Sequence, residues 1–247
     1  MLRATITYTV DPGHLDTLKV GASRYLPDIQ PGLRTEILAR ALGFNSWAAV
    51  RASGETRRTL SIPAALTFAK ERGLEIQPVD LHHAMAQATL LRIAEKTPLL
   101  HSDGYGNGYI RPRPDAIAEG LTPGTPAFYD RCRELIDAEF SKSRGRLFSG
   151  KTGSGALRAM ALFAGLSKTK KVGPNAPSSY RLKHICEHAV FDLGDGVVLH
   201  GAYVSNSEAI VAAMDYDFPV ECDNADINVS VGIALTSLRK AEAFYYA

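Results

Sequence analysis

The sequence predicts a helix-rich α+β fold built of two subdomains with short antiparallel strands. Apolar side chains recur at three- and four-residue spacing through most of the chain, which is typical of amphipathic helices. Short alternating segments such as "ATITYTV" (4–10) and "INVSV" (227–231) are typical of half-buried strands. A Gly/Pro-rich stretch at 98–126 reads as a linker or large functional loop. We therefore expect a mostly helical domain over 1–97 and an α+β domain over 127–247.

The N-terminal elements follow from local signals. After the first strand and the turn "DPG", the segment "HLDTLKVGASRYL" is predicted to be a helix. A second helix is expected to run to Leu42, with Gly43 as its C-terminal cap. Ser61 is the expected N-cap of the next helix. "DLHHAMAQATLLRIAEKTP" predicts a longer helix that begins at Asp80 and ends before Pro98.

The C-terminal region opens with a predicted helix, "TPAFYDRCRELIDAEF". "GALRAMALFAGL" is apolar nearly all round, which predicts a buried helix. "VFDLGDGVVLHGAYV" is predicted to form a hairpin about Gly194, Asp195 and Gly196. "SNSEAIVAAM" is expected to be a capped helix, and residues 232–247 a last helix.

Composition limits the possible classes of protein. The chain has 247 residues, of which 45% are hydrophobic and 22% charged, as in ordinary globular proteins. Its apolar runs are too short to span a bilayer, and "MLRATITYTV" lacks the features of a secretory signal. Cys132, Cys186 and Cys222 lie far apart without a Cys-x-x-Cys pair, which favours free thiols in a reducing compartment. We expect a cytoplasmic protein with no membrane partner, no cofactor and no metal.

Charge is distributed unevenly although the net charge is only +2. Residues 141–186, the basic block, carry ten Lys or Arg and no acid. Residues 187–238, the acidic block, carry nine Asp or Glu and no Lys or Arg. Such blocks indicate a basic surface for nucleic acid or an acidic surface for a basic protein. The alternative is that the two blocks fold together and neutralise each other.

The segment "GRLFSGKT" (145–152) fits the Gly-x4-Gly-Lys-Thr pattern of phosphate-binding loops. Such a site needs a buried strand before the loop and a helix that starts at the Lys-Thr pair. Here "EFSKSR" before it is polar and continues a helix, while Gly153 and Gly155 are expected to delay the next helix. The match is therefore interpreted as accidental, in a flexible basic loop. His101 and Asp103 are likewise interpreted as part of a solvated loop.

"SSYRLKHICEHA" predicts an amphipathic helix, capped by Ser178 or Ser179, with one apolar and one polar face. Tyr180, Lys183, His184 and Glu187 share the polar face. Three interpretations compete. In the first, this face recognises phosphates or bases. In the second, His184 acts as a catalytic base. In the third, the face is simply solvated and carries a helix-stabilising Lys–Glu pair.

A resemblance covers about residues 178–231. "SSYRLKHICE", then "GAYVSNSEAIVAAM" and "NADINVSV", resembles a pattern in uncharacterised accessory proteins of bacterial plasmids, phages and other mobile elements. Those proteins run Ser-Tyr-x-Leu-Lys-His-x-x-Glu, then Tyr-Val-Ser-Asn. This chain departs from them by inserting "HAVFDLGDGVVLHG" before Tyr203. The resemblance implies a mobile-element origin and cytoplasmic action, and it supplies no activity.

We expect a non-enzymatic accessory protein that binds a host protein or nucleoprotein complex and inhibits a nucleic-acid-handling defence complex, as anti-CRISPR proteins do. The alternatives are a DNA-binding regulator of plasmid or phage genes and a P-loop-like nucleotide hydrolase. The residues predicted to bind nucleic acid or a partner are Lys168, Lys170, Lys171, Tyr180, Arg181, Lys183 and His184. The predicted acidic partner-binding surface consists of Asp215, Asp217, Glu221, Asp223 and Asp226.

Overall fold

The structure is a computed structural model that describes residues 1–107, 110, 112–222 and 226–243. The α-helices are α1 (Leu15–Tyr25), α2 (Pro31–Ala41), α3 (Trp47–Ala52), α4 (Ile62–Lys70), α5 (Pro78–Lys96), α6 (Arg113–Ala118), α7 (Pro126–Ser149), α8 (Gly153–Ala164), α9 (Ser179–His188), α10 (Asn206–Asp215) and α11 (Leu235–Ala243). The strands are β1 (Leu2–Arg3), β2 (Tyr8–Val10), β3 (Thr56–Arg58), β4 (Leu100–His101), β5 (Gly104–Tyr105), β6 (Phe191–Gly194), β7 (Val197–Leu199), β8 (Val220–Cys222) and β9 (Val229–Val231). The prediction of a helix-rich α+β fold is confirmed.

Helix α5 lies at the centre of the hydrophobic core. Between Leu81 and Ala94 every residue of this helix except His83 is buried. Helices α1, α8 and α10 pack against it, so the core includes side chains from both halves of the chain. The predicted boundary at 98–126 therefore does not divide the core in two.

Two glycines set the distance between α5 and its neighbours. A Cβ on Gly21 of α1 would lie 2.2 Å from the carbonyl oxygen of Ala84. A Cβ on Gly153, the first residue of α8, would lie 2.5 Å from the carbonyl oxygen of His83. Both helices thus approach the α5 backbone at positions where only glycine fits without movement.

The strands form small sheets. β1, β6 and β7 make one sheet, in which β1 is parallel to β6 and β6 is antiparallel to β7. The other pairs are antiparallel: β2 with β3, β4 with β5, and β8 with β9. The predicted hairpin is confirmed, and Asp195 and Gly196 turn it with positive φ angles of 50° and 76°. The predicted strand over 4–10 is shorter in the structure, where Tyr8–Val10 forms β2.

The stretch at 98–126 contains regular secondary structure that packs on the C-terminal half. It holds the β4–β5 hairpin and α6, and the amide of Tyr105 donates to the carbonyl of Ile227 at 3.0 Å. His101 is buried, with Nδ1 2.9 Å from the hydroxyl of Ser143, so the prediction that it lies in a solvated loop is wrong, whereas Asp103 is exposed. Residues 108, 109 and 111 of this stretch, and 244–247 of the predicted last helix, lie outside the described residues.

Most of the "GRLFSGKT" segment is helical, and only residues 150–152 lie between two helices. Helix α7 continues through Ser149, and α8 begins at Gly153 without the predicted delay. Thr152 is held by Gln87 of α5, whose Oε1 accepts from the Thr152 amide at 2.9 Å. The segment therefore joins two helices, whereas a phosphate-binding loop follows a strand, and the prediction of a flexible basic loop is wrong.

We predict that Gly21→Ala destabilises the protein, because the added methyl group meets the α5 backbone. Overpacking of this kind costs about 1–3 kcal/mol. The matched control is Gly32→Ala, because Gly32 also lies in a helix and has no atom within 4 Å of an added Cβ. That control should be neutral or stabilise by up to about 1 kcal/mol. Urea unfolding monitored by circular dichroism measures both, and equal midpoints for the two variants would contradict the close approach of α1 and α5.

Candidate functional site

Helix α9 forms as its sequence predicts. The Ser178 hydroxyl accepts a hydrogen bond from the Arg181 amide at 3.3 Å and caps the first turn. Leu182, Ile185 and Cys186 are buried against α8 and α10. The opposite face therefore points away from the core.

Glu187 organises this polar face. Its Oε1 accepts from Nζ of Lys183 and from the amide of Val204, both at 3.3 Å. Its Oε2 lies 2.6 Å from Nδ1 of His184. Burial alone would raise the pKa of Glu187, but the Val204 amide, Lys183 and His184 outweigh it and lower that pKa. Glu187 is therefore a carboxylate that holds three donors in place.

The Lys183 ammonium contacts two tyrosine rings. Its Nζ is 5.2 Å from the ring centroid of Tyr180 and 5.3 Å from that of Tyr203. Only 11% of the Lys183 side chain is exposed, whereas Tyr180 is 53% and Tyr203 75% exposed. Cation–π contacts and the Glu187 carboxylate together stabilise the partly desolvated ammonium. Lys183 is therefore mostly buried. This finding contradicts the interpretation that the polar face of α9 is simply solvated.

His184 completes the cluster. Its ring makes an edge contact with Tyr180 at a centroid distance of 4.5 Å, and its side chain is 37% exposed. Nε2 makes no hydrogen bond with any described residue. We call Tyr180, Lys183, His184, Glu187 and Tyr203 the tyrosine–lysine site. The sequence pattern places the first four of these residues on one helix face. It indicates Tyr203 only through the "GAYVSN" segment of the resemblance.

Arg158 of α8 holds the C-terminal end of α9 through hydrogen bonds to backbone carbonyls. Its buried guanidinium donates to the carbonyls of Cys186 and Ala189, each with an N···O distance of 2.6 Å, and to the carbonyl of His200. A positive charge at a helix C-terminus satisfies unpaired carbonyls and interacts favourably with the helix dipole. This member of the basic block therefore supports the site and is not available to a partner.

Glu208 fixes the segment after Tyr203. Ser205 and Glu208 form a capping box at the start of α10, and the Ser205 amide donates to Glu208 at 2.6 Å. The carboxylate is packed so closely on α8 that a Cβ on Gly155 would lie 2.2 Å from it. Burial raises the pKa of Glu208 to about 7, against the lowering effect of the Ser205 and Ala156 amides.

The other predicted cationic residues lie elsewhere. Lys168, Lys170 and Lys171 are exposed on the segment between α8 and α9, which runs beside β9. Arg181 pairs with Glu242 of α11 at 2.6 Å. No described contact joins these three lysines to the tyrosine–lysine site, so we treat them as a separate lysine segment.

The residues of the predicted acidic surface are not all exposed. Asp215 is buried, accepts from Thr9 at 3.2 Å, and pairs with Arg92 and with Arg57. A buried carboxylate needs such partners, and burial still raises its pKa against the effect of both arginines. Asp215 is therefore unavailable to a partner. The residues of this set that are exposed are Asp217, Glu221 and Asp226, and Asp223 lies outside the described residues.

The two charged blocks do not neutralise each other by extensive pairing. Among the described Lys and Arg ion pairs, Lys183–Glu187 is the one that joins them. Elsewhere the basic block uses partners outside the acidic block: Arg146 pairs with Asp103 and Glu139, and Lys142 with Glu139.

Comparison with protein-family models, with curated proteins and with solved structures finds no significant match for this chain. Across the described residues, no helix combines the length and hydropathy needed to span a membrane. The same part of the chain contains no group of three or more His, Cys, Asp or Glu arranged to hold a metal ion. Any functional inference therefore depends on the tyrosine–lysine site and the exposed charges.

We predict that Glu208 makes the protein less stable as pH rises. The carboxyl has a pKa near 4.5 when unfolded and about 7 when folded, so its contribution is complete below about pH 4.5 and is lost as pH rises through 7. The loss is about 3 kcal/mol. Glu208→Gln should flatten this part of the dependence, measured as urea unfolding free energy from pH 5.5 to 8. An unchanged slope in Glu208→Gln would contradict the raised pKa.

Proposed function

We propose that this protein is a cytoplasmic accessory protein of a mobile genetic element that binds single-stranded nucleic acid at the tyrosine–lysine site. The observation that carries the proposal is the pair of exposed rings, Tyr180 and Tyr203, whose centroids both lie within 5.3 Å of the Lys183 ammonium. Aromatic rings that stack on bases beside a cation that meets phosphate are the usual elements of single-strand recognition.

The geometry favours a single strand over a duplex. Tyr203 is 75% exposed, so its ring is open to stack on a base. Bases in a duplex are already stacked on each other, whereas unpaired bases can be splayed onto a protein ring. Stacking of a base on an aromatic side chain contributes about 1–3 kcal/mol.

The lysine segment supplies the long-range part of the affinity. Lys168, Lys170 and Lys171 are exposed, and none has a salt bridge among the described residues. Solvated lysines attract the phosphate backbone without reading the sequence, and they release counterions when it binds. These three lysines would therefore contribute most of the salt dependence of the affinity for nucleic acid.

A protein partner is the second candidate. Asp217, Glu221 and Asp226 are exposed carboxylates that fit the basic groove of a nucleic-acid-handling defence complex. This candidate is the anti-CRISPR-like inhibitor expected from the sequence, and it predicts binding to a nucleoprotein complex without affinity for free RNA or DNA. The burial of Asp215 removes one residue of that surface.

We predict that Tyr203→Ala weakens binding of a labelled single-stranded oligonucleotide by about 5- to 100-fold, because one stacking platform is lost. Tyr203→Phe should bind as the unaltered protein does. The matched control is Tyr129→Ala, because Tyr129 is 58% exposed on α7, outside the site. Fluorescence anisotropy with single-stranded RNA, single-stranded DNA and duplex DNA measures the affinities. Equal affinities in all three variants, or preference for duplex, would refute the single-strand proposal.

We also predict that the triple variant Lys168→Ala, Lys170→Ala, Lys171→Ala binds with a shallower salt dependence. Each lost phosphate contact lowers the slope of log affinity against log salt by about 0.7 for a single strand, so three lower it by about 2. Titration from about 50 to 200 mM salt measures this slope. A slope equal to that of the unaltered protein would show that the lysine segment makes no phosphate contact.

A further inference from the structure

Building on the proposed single-strand binding, we propose that the tyrosine–lysine site cleaves RNA, with His184 as the general base for the ribose 2′-hydroxyl. The observation behind this proposal is the hydrogen bond between His184 Nδ1 and Glu187 Oε2, at 2.6 Å. A carboxylate acceptor places the imidazole proton on Nδ1 and leaves Nε2 free to accept a proton. The His184 side chain is 37% exposed, so a substrate can reach the ring.

The site contains a base and a cation, and the described contacts give it no nucleophile. Within the part of the chain that the structure describes, no serine, threonine or cysteine side chain hydrogen-bonds to His184. The nearest thiol in sequence, Cys186, is fully buried, and burial raises its pKa well above the usual range. A site with a base and a cation but no nucleophile suits a substrate that carries its own nucleophile. RNA does so, because its 2′-hydroxyl is adjacent to the phosphodiester, and DNA does not.

The reaction is an internal transesterification. The 2′-oxygen forms a bond to the adjacent phosphorus while its proton passes to Nε2 of His184. The bond from phosphorus to the 5′-oxygen breaks, and the leaving 5′-oxygen takes a proton from water. The imidazolium then returns its proton to solvent. The products are a 2′,3′-cyclic phosphate and a 5′-hydroxyl, and neither a metal nor a redox partner takes part.

Lys183 is placed to stabilise the charge that develops on the phosphate. Lys183 and His184 are adjacent on α9, yet both reach the same carboxylate, at 3.3 Å and 2.6 Å. An ammonium fixed beside the base stabilises the additional negative charge of the pentavalent transition state. Tyr203 and Tyr180 would hold the flanking bases, so that the scissile phosphate lies over the Lys183–His184 pair.

The experiment uses the full chain with a 5′-labelled single-stranded RNA in EDTA, and it follows cleavage by gel and product ends by mass spectrometry. We expect cyclic-phosphate and 5′-hydroxyl ends. The substrate controls are an all-deoxy strand and a deoxy strand with one ribose, which should be cut only at that ribose. At saturating RNA, where the rate no longer depends on affinity, His184→Gln should cleave at least 100-fold more slowly, since general acid–base catalysis contributes about 100- to 10,000-fold.

His188→Gln on the same helix is the matched control and should cleave at the unaltered rate. Glu187→Gln should also reduce the rate, because His184 Nδ1 loses its carboxylate acceptor. RNA that is bound but left intact would refute the cleavage inference while the binding proposal stands. RNA neither bound nor cut would refute the binding proposal itself. Cleavage that is unchanged in His184→Gln, or that stops in EDTA, would also overturn the proposed mechanism.

Discussion

The close packing of α1 and α8 on the buried helix α5 is the constraint on which the rest of the structure depends. Gly21 and Gly153 allow backbone contact with α5 from two sides. Because α5 is buried almost all round, its polar side chains need internal partners. His82 meets the hydroxyl of Tyr8 at 2.8 Å, and Arg92 pairs with Asp215 at the end of α10. The core therefore fixes where α8 begins and where α10 ends.

The packing on α5 also determines the position of the candidate site, because α8 and α10 carry the residues that hold it. Arg158 projects from α8 onto the carbonyls at the end of α9, and Glu208 of α10 packs on Gly155 of α8. The capping box then fixes the chain just after Tyr203, where the Val204 amide donates to Glu187 at 3.3 Å. A site built on two helix ends is positioned more rigidly than one on a free loop. The exposed rings of Tyr180 and Tyr203 are therefore held in place by the buried polar contacts of Arg158 and Glu208.

Sequence patterns predicted what depends on near neighbours. The cap at Ser178, the faces of α9 and the turn about Gly194–Gly196 require only residues a few positions apart, and all three are present. Burial of Asp215 could not be predicted, since its partner Arg92 lies 123 residues away. The same holds for Tyr203, which joins α9 only through tertiary packing. The predicted helix α7 is too short because "GRLFS" (145–149) is assigned to a loop from its glycine and its basic residue, and local propensity is a weak guide when distant contacts decide.

The charge balance of the site separates the two sources of affinity. Lys183 and Glu187 carry opposite charges at 3.3 Å, so with a neutral His184 the site has little net attraction for a polyanion. Ground-state binding there would then come from stacking on Tyr180 and Tyr203, which salt hardly screens. The exposed lysine segment would provide the salt-sensitive remainder. A nearly neutral site also suits phosphodiester chemistry, because the Lys183 ammonium gains most when negative charge grows in the transition state, and only such differential stabilisation accelerates a reaction.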